Sequence, residues 1–261
     1  MDLDLAGKVA LVTGASGGIG TGIATELARE GVELCLTGRD RSKLEEGADA
    51  IAKISGRRPA VHAGDLREPE AASAAIDAAV AAFGHLDILM NCAGDTKRGD
   101  FLKLSEEDWL GGFAVKFHGN VRMTRAAWPH LRQTHGVVIS IVGVGSRVGS
   151  AEFAIGGAVN VALLNFTKAM ADLGMREGVR VNAINPGLIE TDRLARNIAR
   201  LMREHSCSLD EAVARMLAPR GTTRFGRPEE IGWLAAFLAS PKAAFIHGAI
   251  MDIDGGSTRS L

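Results

Sequence analysis

Two short stretches hold residue types at spacings suited to binding a nucleotide. TGASGGIG, residues 13–20, is a glycine-rich turn between an apolar run and a helical segment. Gly14 permits a tight turn, while Gly18 and Gly20 let backbone N–H groups approach a pyrophosphate at the helix N-terminus. Ser16 and Ile19 lie in the same loop and are read as cofactor contacts with it. Within a βαβ unit this pattern marks a dinucleotide site. The second stretch is Gly38–Arg39, just past the next apolar run. An acid there binds a ribose 2′-hydroxyl, whereas an arginine suits a 2′-phosphate. Arg39 therefore points to NADP(H) in preference to NAD(H).

Other chemistries find little footing. Seven histidines form no HExxH or clustered metal pattern, so no metal is expected. No GxSxG nucleophile elbow occurs. Glu106–Glu107 and Glu229–Glu230 sit at helix starts, where carboxylates favour the dipole. Cys35, Cys92 and Cys207 are too few and too scattered for a disulfide framework or a zinc site. A net charge of −1 leaves no surplus of cations for nucleic acid or an anionic membrane. MDLDLAGK does not read as a secretory signal, no run reaches eighteen consecutive apolar residues, and STRSL is not a peroxisomal SKL. A small-molecule substrate and a cytoplasmic setting are the expectation.

The elements that must position these residues follow a regular alternation. Strands are expected at 8–14, 33–38, 60–65, 86–94, 136–143, 179–187 and 249–254. Helical segments separate them, among them 18–30, 68–83, one from Ser105 toward Pro129, 154–174, and one starting at Pro228. Apolar strands between amphipathic helices indicate an α/β fold, with one parallel sheet covered on both faces. No Pro/Gly/Ser linker and no repeat interrupts it, so residues 1–261 read as one domain. Residues 188–228 break the rhythm and read as a lid over a ligand, with a capping box of Ser208 and Glu211. Its Leu194, Leu201, Met202, Met216 and Leu217 suit an apolar ligand or packing.

TGASGGIG, GDL at 64–66, NCAG at 91–94, PGLIET at 186–191, GRPEEIGWLAAFLAS and the DGG at 254–256 occur in this order. Together they resemble the motifs of the short-chain dehydrogenase/reductase family over essentially the whole chain. The resemblance implies a Rossmann-type doubly wound sheet of seven parallel strands, a nicotinamide dinucleotide along its carboxyl edge, and a homotetramer or homodimer. It also implies that Asp65 and Leu66 face the adenine and that Asn91, Ala93 and Gly94 line the dinucleotide. Pro186, Gly187, Ile189 and Thr191 would frame the nicotinamide carboxamide.

The same resemblance implies a serine, a tyrosine, a lysine and an asparagine around the reacting carbonyl. The phenol handles the proton, and the lysine lowers its pKa. Counted from Thr167, the tyrosine position is Gly156 and the lysine position Asn160; the serine position is Gly143 and the asparagine position Lys116. All four differ, and the chain contains no tyrosine. Small residues at 156 and 157 are expected to leave open space beside the nicotinamide. Replacement donors are Lys116, whose pKa falls on burial, and Ser146, with Arg147 beside it as a bidentate carboxylate ligand or a solvated loop residue. Asn160 is expected to bond the nicotinamide ribose or water, and His118 lies on a different helical face from Lys116.

Three functions remain open on the sequence. One is an NADP(H)-dependent oxidoreductase with a non-standard active site and a small, apolar substrate, such as a protonated imine or a conjugated alkene. The second is a non-catalytic dinucleotide-binding homologue acting as a regulatory or structural partner. The third is an enzyme using the cavity without net redox.

Overall fold

β-branched and leucine-rich runs form the inner strands, which are buried on both faces. In the computed structural model, which describes residues 1–259, the strands are β1 (Val9–Thr13), β2 (Glu33–Gly38), β3 (Ala60–Ala63), β4 (Ile88–Asn91), β5 (Val137–Ile141), β6 (Arg180–Pro186) and β7 (Ile250–Ile253). They form a 7-stranded parallel sheet in the order β3-β2-β1-β4-β5-β6-β7. Inner strands β1, β4 and β5 are wholly buried, and the edge strands β3 and β7 are not. Each expected strand is present, β2 at its expected bounds and the others with ends trimmed. The final two residues of the STRSL terminus lie outside the described residues.

The period-2 alternation of each strand sorts its side chains between two cores. Ala10, Val12, Leu34, Leu36, Ile88 and Met90 point to one face. There α1 (Gly18–Arg29), α2 (Arg41–Ser55) and α9 (Pro228–Ala239) cover them. Val9, Leu11, Cys35 and Leu89 point to the other face, under α3 (Ala71–Phe83), α5 (Gly119–Thr134) and α6 (Ala154–Glu177). Each fully buried leucine or isoleucine stabilises by about 1.5–3 kcal/mol. With its preceding turn, α6 is long and apolar enough to cross a bilayer, at a mean hydropathy of 1.3. Here it packs along β6 as a covering helix.

Chain order reverses between β1 and β4, and the crevice at their carboxyl ends is where doubly wound sheets bind ligands. One hydroxyl fixes this junction: Thr13 Oγ1 accepts from the backbone N of Cys92 and of Ala93, both at 2.9 Å. Beyond β4, a capping box of Ser105 and Asp108 starts α4 (Glu106–Phe113). A π-helical turn, Ala114–His118, joins α4 to α5. Such turns often accompany functional sites, and this one contains Lys116. Rather than ending near Pro129, α5 continues to Thr134. Pro129 and Arg125, whose carbonyl it leaves unpaired, are both exposed to water.

Residues 188–228 hold α7 (Asp192–His205) and α8 (Leu209–Leu217), the latter opened by the expected capping box of Ser208 and Glu211. Leu194, Met216 and Leu217 are buried by packing, and Leu201 and Met202 are partly buried. The burial of Leu194, Met216 and Leu217 is the packing alternative of the two expected for these side chains.

Candidate active site

The glycine loop has the geometry of a phosphate cradle. Gly14 adopts φ +67, and a Cβ there would stand 2.9 Å from Ala93 Cα, too close for any other residue. A Cβ at Gly20 would fall 2.2 Å from the Gly14 carbonyl oxygen, so only glycine lets α1 begin this near the turn. Gly17 precedes α1 and no side chain caps it, leaving the first-turn amides for an anion. Ser16 Oγ lies against Gly38 at the end of β2, beside the exposed Arg39. A cavity of about 390 Å³ borders this loop, between Gly17, Gly18 and Thr21 on one side and Glu190, Thr191 and Pro228 on the other. The residues present therefore fit a phosphorylated dinucleotide.

The remaining cofactor motifs divide into positioned and committed groups. Asp65 accepts from Arg67 at 2.5 Å, which holds its carboxyl below the usual range. Leu66 is buried. Asn91 turns away from the crevice: its Nδ2 donates to Asn120 Oδ1 at 3.2 Å and Thr124 Oγ1 at 3.1 Å, tying β4 to α5. A buried amide must satisfy its donors locally, so the Asn91 side chain is committed to α5, and it is the backbone of Asn91 that is left to line a dinucleotide. Ala93 and Gly94 remain at the crevice edge, with the Lys116 stem packed against Gly94. Pro186 ends β6, and Gly187 N donates to Ile253 O at 3.1 Å. Ile189 is buried, and Thr191 Oγ1 caps α7 by accepting from Leu194 N. The Thr191 methyl closes on Gly18, 3.1 Å from where a Cβ there would be.

Of the four positions where the family resemblance implies catalysis, three are hydrogen-bonded in series, Lys116 and Asn160 through their side chains and Gly143 through its carbonyl, while Gly156 stands apart. Lys116 Nζ donates to Asn160 Oδ1 at 2.6 Å and to Val142 O at 2.6 Å, keeping one N–H free. Asn160 Nδ2 donates to Gly143 O at 3.2 Å. Asn160 is therefore buried and bonded to the chain itself at both its oxygen and its nitrogen. Burial, then the charge of Arg193, pushes the Lys116 amine down to about 7. Ser146 Oγ donates to Gly143 O at 3.0 Å, so its hydroxyl proton is committed to the chain. Arg147 pairs with Asp252 at 3.4 Å, and Asp252 in turn accepts from Asn185. The Arg147 side chain is about 29% exposed, and its buried Nε has no hydrogen-bond partner among the described residues. His118 is exposed on its own face.

The space expected to be open is filled. A Cβ on Gly156 would meet the Phe153 ring at 2.0 Å, and one on Gly145 would meet it at 2.7 Å. Two glycines are thus required by one phenyl ring, which stands where a side chain at 156 would project. Arg98 lays its guanidinium over that ring, 3.9 Å from the centroid. Arg193, at the start of α7, donates to Gly94 O at 2.6 Å and pairs with Asp95 at 3.0 Å. Phe153, Arg98 and Arg193 were not singled out from the sequence. The signal available was an aromatic flanked by Gly145 and Gly156, which shows only once α6 folds back on the β5 loop.

Comparison with known proteins agrees with this architecture. The family model described as enoyl-(acyl carrier protein) reductase matches residues 14–258. Oxidoreductase UcpA of Escherichia coli is 37% identical over 97% of this chain and 95% of its own. The 3-oxoacyl-(acyl-carrier-protein) reductase FabG of Vibrio cholerae is 34% identical over 97% and 98%. Among solved structures, L-sorbose reductase from Gluconobacter frateurii, complexed with NADPH and L-sorbose, superposes with a TM-score of 0.95 at 29% identity, covering 100% of both chains. With the seven-stranded order, the glycine cradle and the whole-length matches agreeing, the chain belongs to the short-chain dehydrogenase/reductase family and is an oxidoreductase of that type.

Proposed function

We propose that this chain is an NADP(H)-dependent reductase in which Lys116 handles the proton that a tyrosine handles elsewhere in the family. The reading rests on one observation: the part-buried Lys116 packs its stem against Gly94 at the crevice edge, and its ammonium, tied to Asn160 and Val142, has an N–H to spare. When bound, the nucleotide would supply the hydride. Gly14, Gly18 and Gly20 would hold its pyrophosphate, and Arg39 its 2′-phosphate. Lys116 Nζ would release a proton to the oxygen or carbon left negative, and water would restore it. An amine with a pKa near working pH suits that exchange. NADPH in the L-sorbose reductase complex supports the choice of nucleotide. The reductases among the relatives support a carbonyl or conjugated alkene as the reducible group.

The Phe153 ring over Gly156 favours a second reading, a dinucleotide-binding homologue without turnover. Lys116→Met separates the two. If lysine handles the proton, NADPH-dependent reduction of a carbonyl panel falls about 10²- to 10⁴-fold, with NADPH affinity kept. No reduction by the unaltered chain, with NADPH bound, supports the second reading. We also propose a cytoplasmic homotetramer or homodimer, in keeping with exposed Val161, Met175, Trp233 and Phe245.

A further inference from the structure

We infer that the mouth of this cleft binds an anionic group of the substrate, a carboxylate or a phosphate, and that Arg98 is the residue that selects it. The inference rests on the proposed function only in taking the cleft to face the nucleotide. Arg98 lies in the loop between β4 and α4, held face-on by Phe153 at 3.9 Å. A stacked guanidinium keeps its in-plane N–H donors free for a planar, bidentate acceptor. Among the described residues Arg98 has no ion-pair or hydrogen-bond partner. Several other surface arginines are paired, among them Arg57 with Glu33 at 2.9 Å, Arg58 with Glu45 at 2.6 Å, and Arg224 with Glu230 at 2.7 Å.

The surroundings of Arg98 add positive charge. Arg193 meets Gly94 and Asp95 from the first turn of α7, and Arg200 follows two turns later on the same face. Arg220 follows α8, its Nη1 on Met216 O at 2.7 Å. Burial first, then the like charges of Arg193, Arg220 and Arg200, press the Arg98 pKa downward, with Glu152 opposing them. Asp95 is taken by Arg193, and Glu204 by Arg200. Arginines from three separate elements therefore meet at one mouth, Arg193 and Arg200 each with a carboxylate partner, Arg98 and Arg220 with none among the described residues. This is the field that draws an anion to a cleft, and the guanidinium fork matches carboxylate and phosphate oxygens.

The test titrates the NADPH-loaded protein calorimetrically with methyl ketones bearing a terminal carboxylate at graded chain lengths, with their methyl esters, and with the matching phosphonates. At the fitting length, the carboxylate or the phosphonate should bind about tenfold tighter than the ester. The tighter of the two identifies the group. In Arg98→Gln that preference should shrink to about twofold or less, and Arg98→Lys should retain part of it, with NADPH affinity unchanged in both. Equal binding of acid, phosphonate and ester, a preference that survives Arg98→Gln, or no binding by any member would overturn the inference. Because heat of binding is read, anion binding without NADPH oxidation would sink the reductase reading alone. Oxidation of NADPH with no preference for the anion would sink this one alone.

Discussion

Lys116 Nζ and Asn160 Oδ1 are 2.6 Å apart, joining the π-helical turn after α4 to α6. The positions at which the family resemblance implies an asparagine and a lysine hold a lysine and an asparagine. The exchange keeps one amine and one amide in contact and moves the amine to the opposite helix. It also takes the amine away from Gly156, where no phenol needs its charge.

Asn160→Asp places a carboxylate in contact with the Lys116 amine. An opposite charge at this distance favours the ammonium form, so the lysine pKa should rise well above 7. The pH profile of reductive turnover should then move to the alkaline side by more than about one pH unit. A profile unchanged from the parent chain would show that Lys116 does not govern the rate.

Stability should depend on pH through the same residue. The folded chain loses the Lys116 proton near 7, whereas an ordinary lysine holds it to 10.5. Between those values the unfolded state binds more protons, so this residue's contribution to stability rises with pH. Below about 7 the folded state confines a charged ammonium, and the contribution is at its lowest. Denaturant unfolding of the parent and Lys116→Met from pH 6 to 10 should show the parent gaining on the variant as pH rises. Parallel curves would contradict it.

Phe153 and Gly156 should behave as a coupled pair. Gly156→Ala forces a methyl into the ring and should cost about 1–3 kcal/mol. Phe153→Ala on its own empties a partly buried position, and adding Gly156→Tyr to it refills the space. The double variant should be more stable than the sum of its single changes allows, by about 1 kcal/mol or more. Additive losses in a thermal-unfolding cycle would mean that the ring moves aside freely.

Arg39 should set the choice of nucleotide. Arg39→Asp exchanges a guanidinium for the acid that suits a 2′-hydroxyl. NADPH affinity should fall about tenfold or more, and NADH affinity should hold or improve. Fluorescence titration of both nucleotides measures this, and a loss equal for the two would remove Arg39 from recognition.

The fold was largely legible because its signals are local. Valine-rich strands, the Ser208–Glu211 box and the glycine loop at 13–20 each specify their own geometry within a few residues. The cradle, with Arg39 beside it, followed from the same spacing. The catalytic corner was not legible, since its contacts join Lys116 to Asn160, Asn160 to Gly143, and Phe153 to Gly145 and Gly156. The open space read from a pair of glycines was in fact the imprint of a phenyl ring. Pairing of Arg147 with Asp252 likewise depends on β7 lying beside β6, a contact that short-range spacing does not encode.

The central claim is that one lysine, poised near neutrality, faces a bound NADPH. It is tested most directly by following the Lys116 side-chain ¹³Cε resonance against pH, with and without saturating NADPH, using Lys116→Met for assignment. The account expects an inflection at about 7 in the free protein and a clear displacement of it when NADPH binds. An inflection near 10.5 that NADPH leaves in place would contradict it.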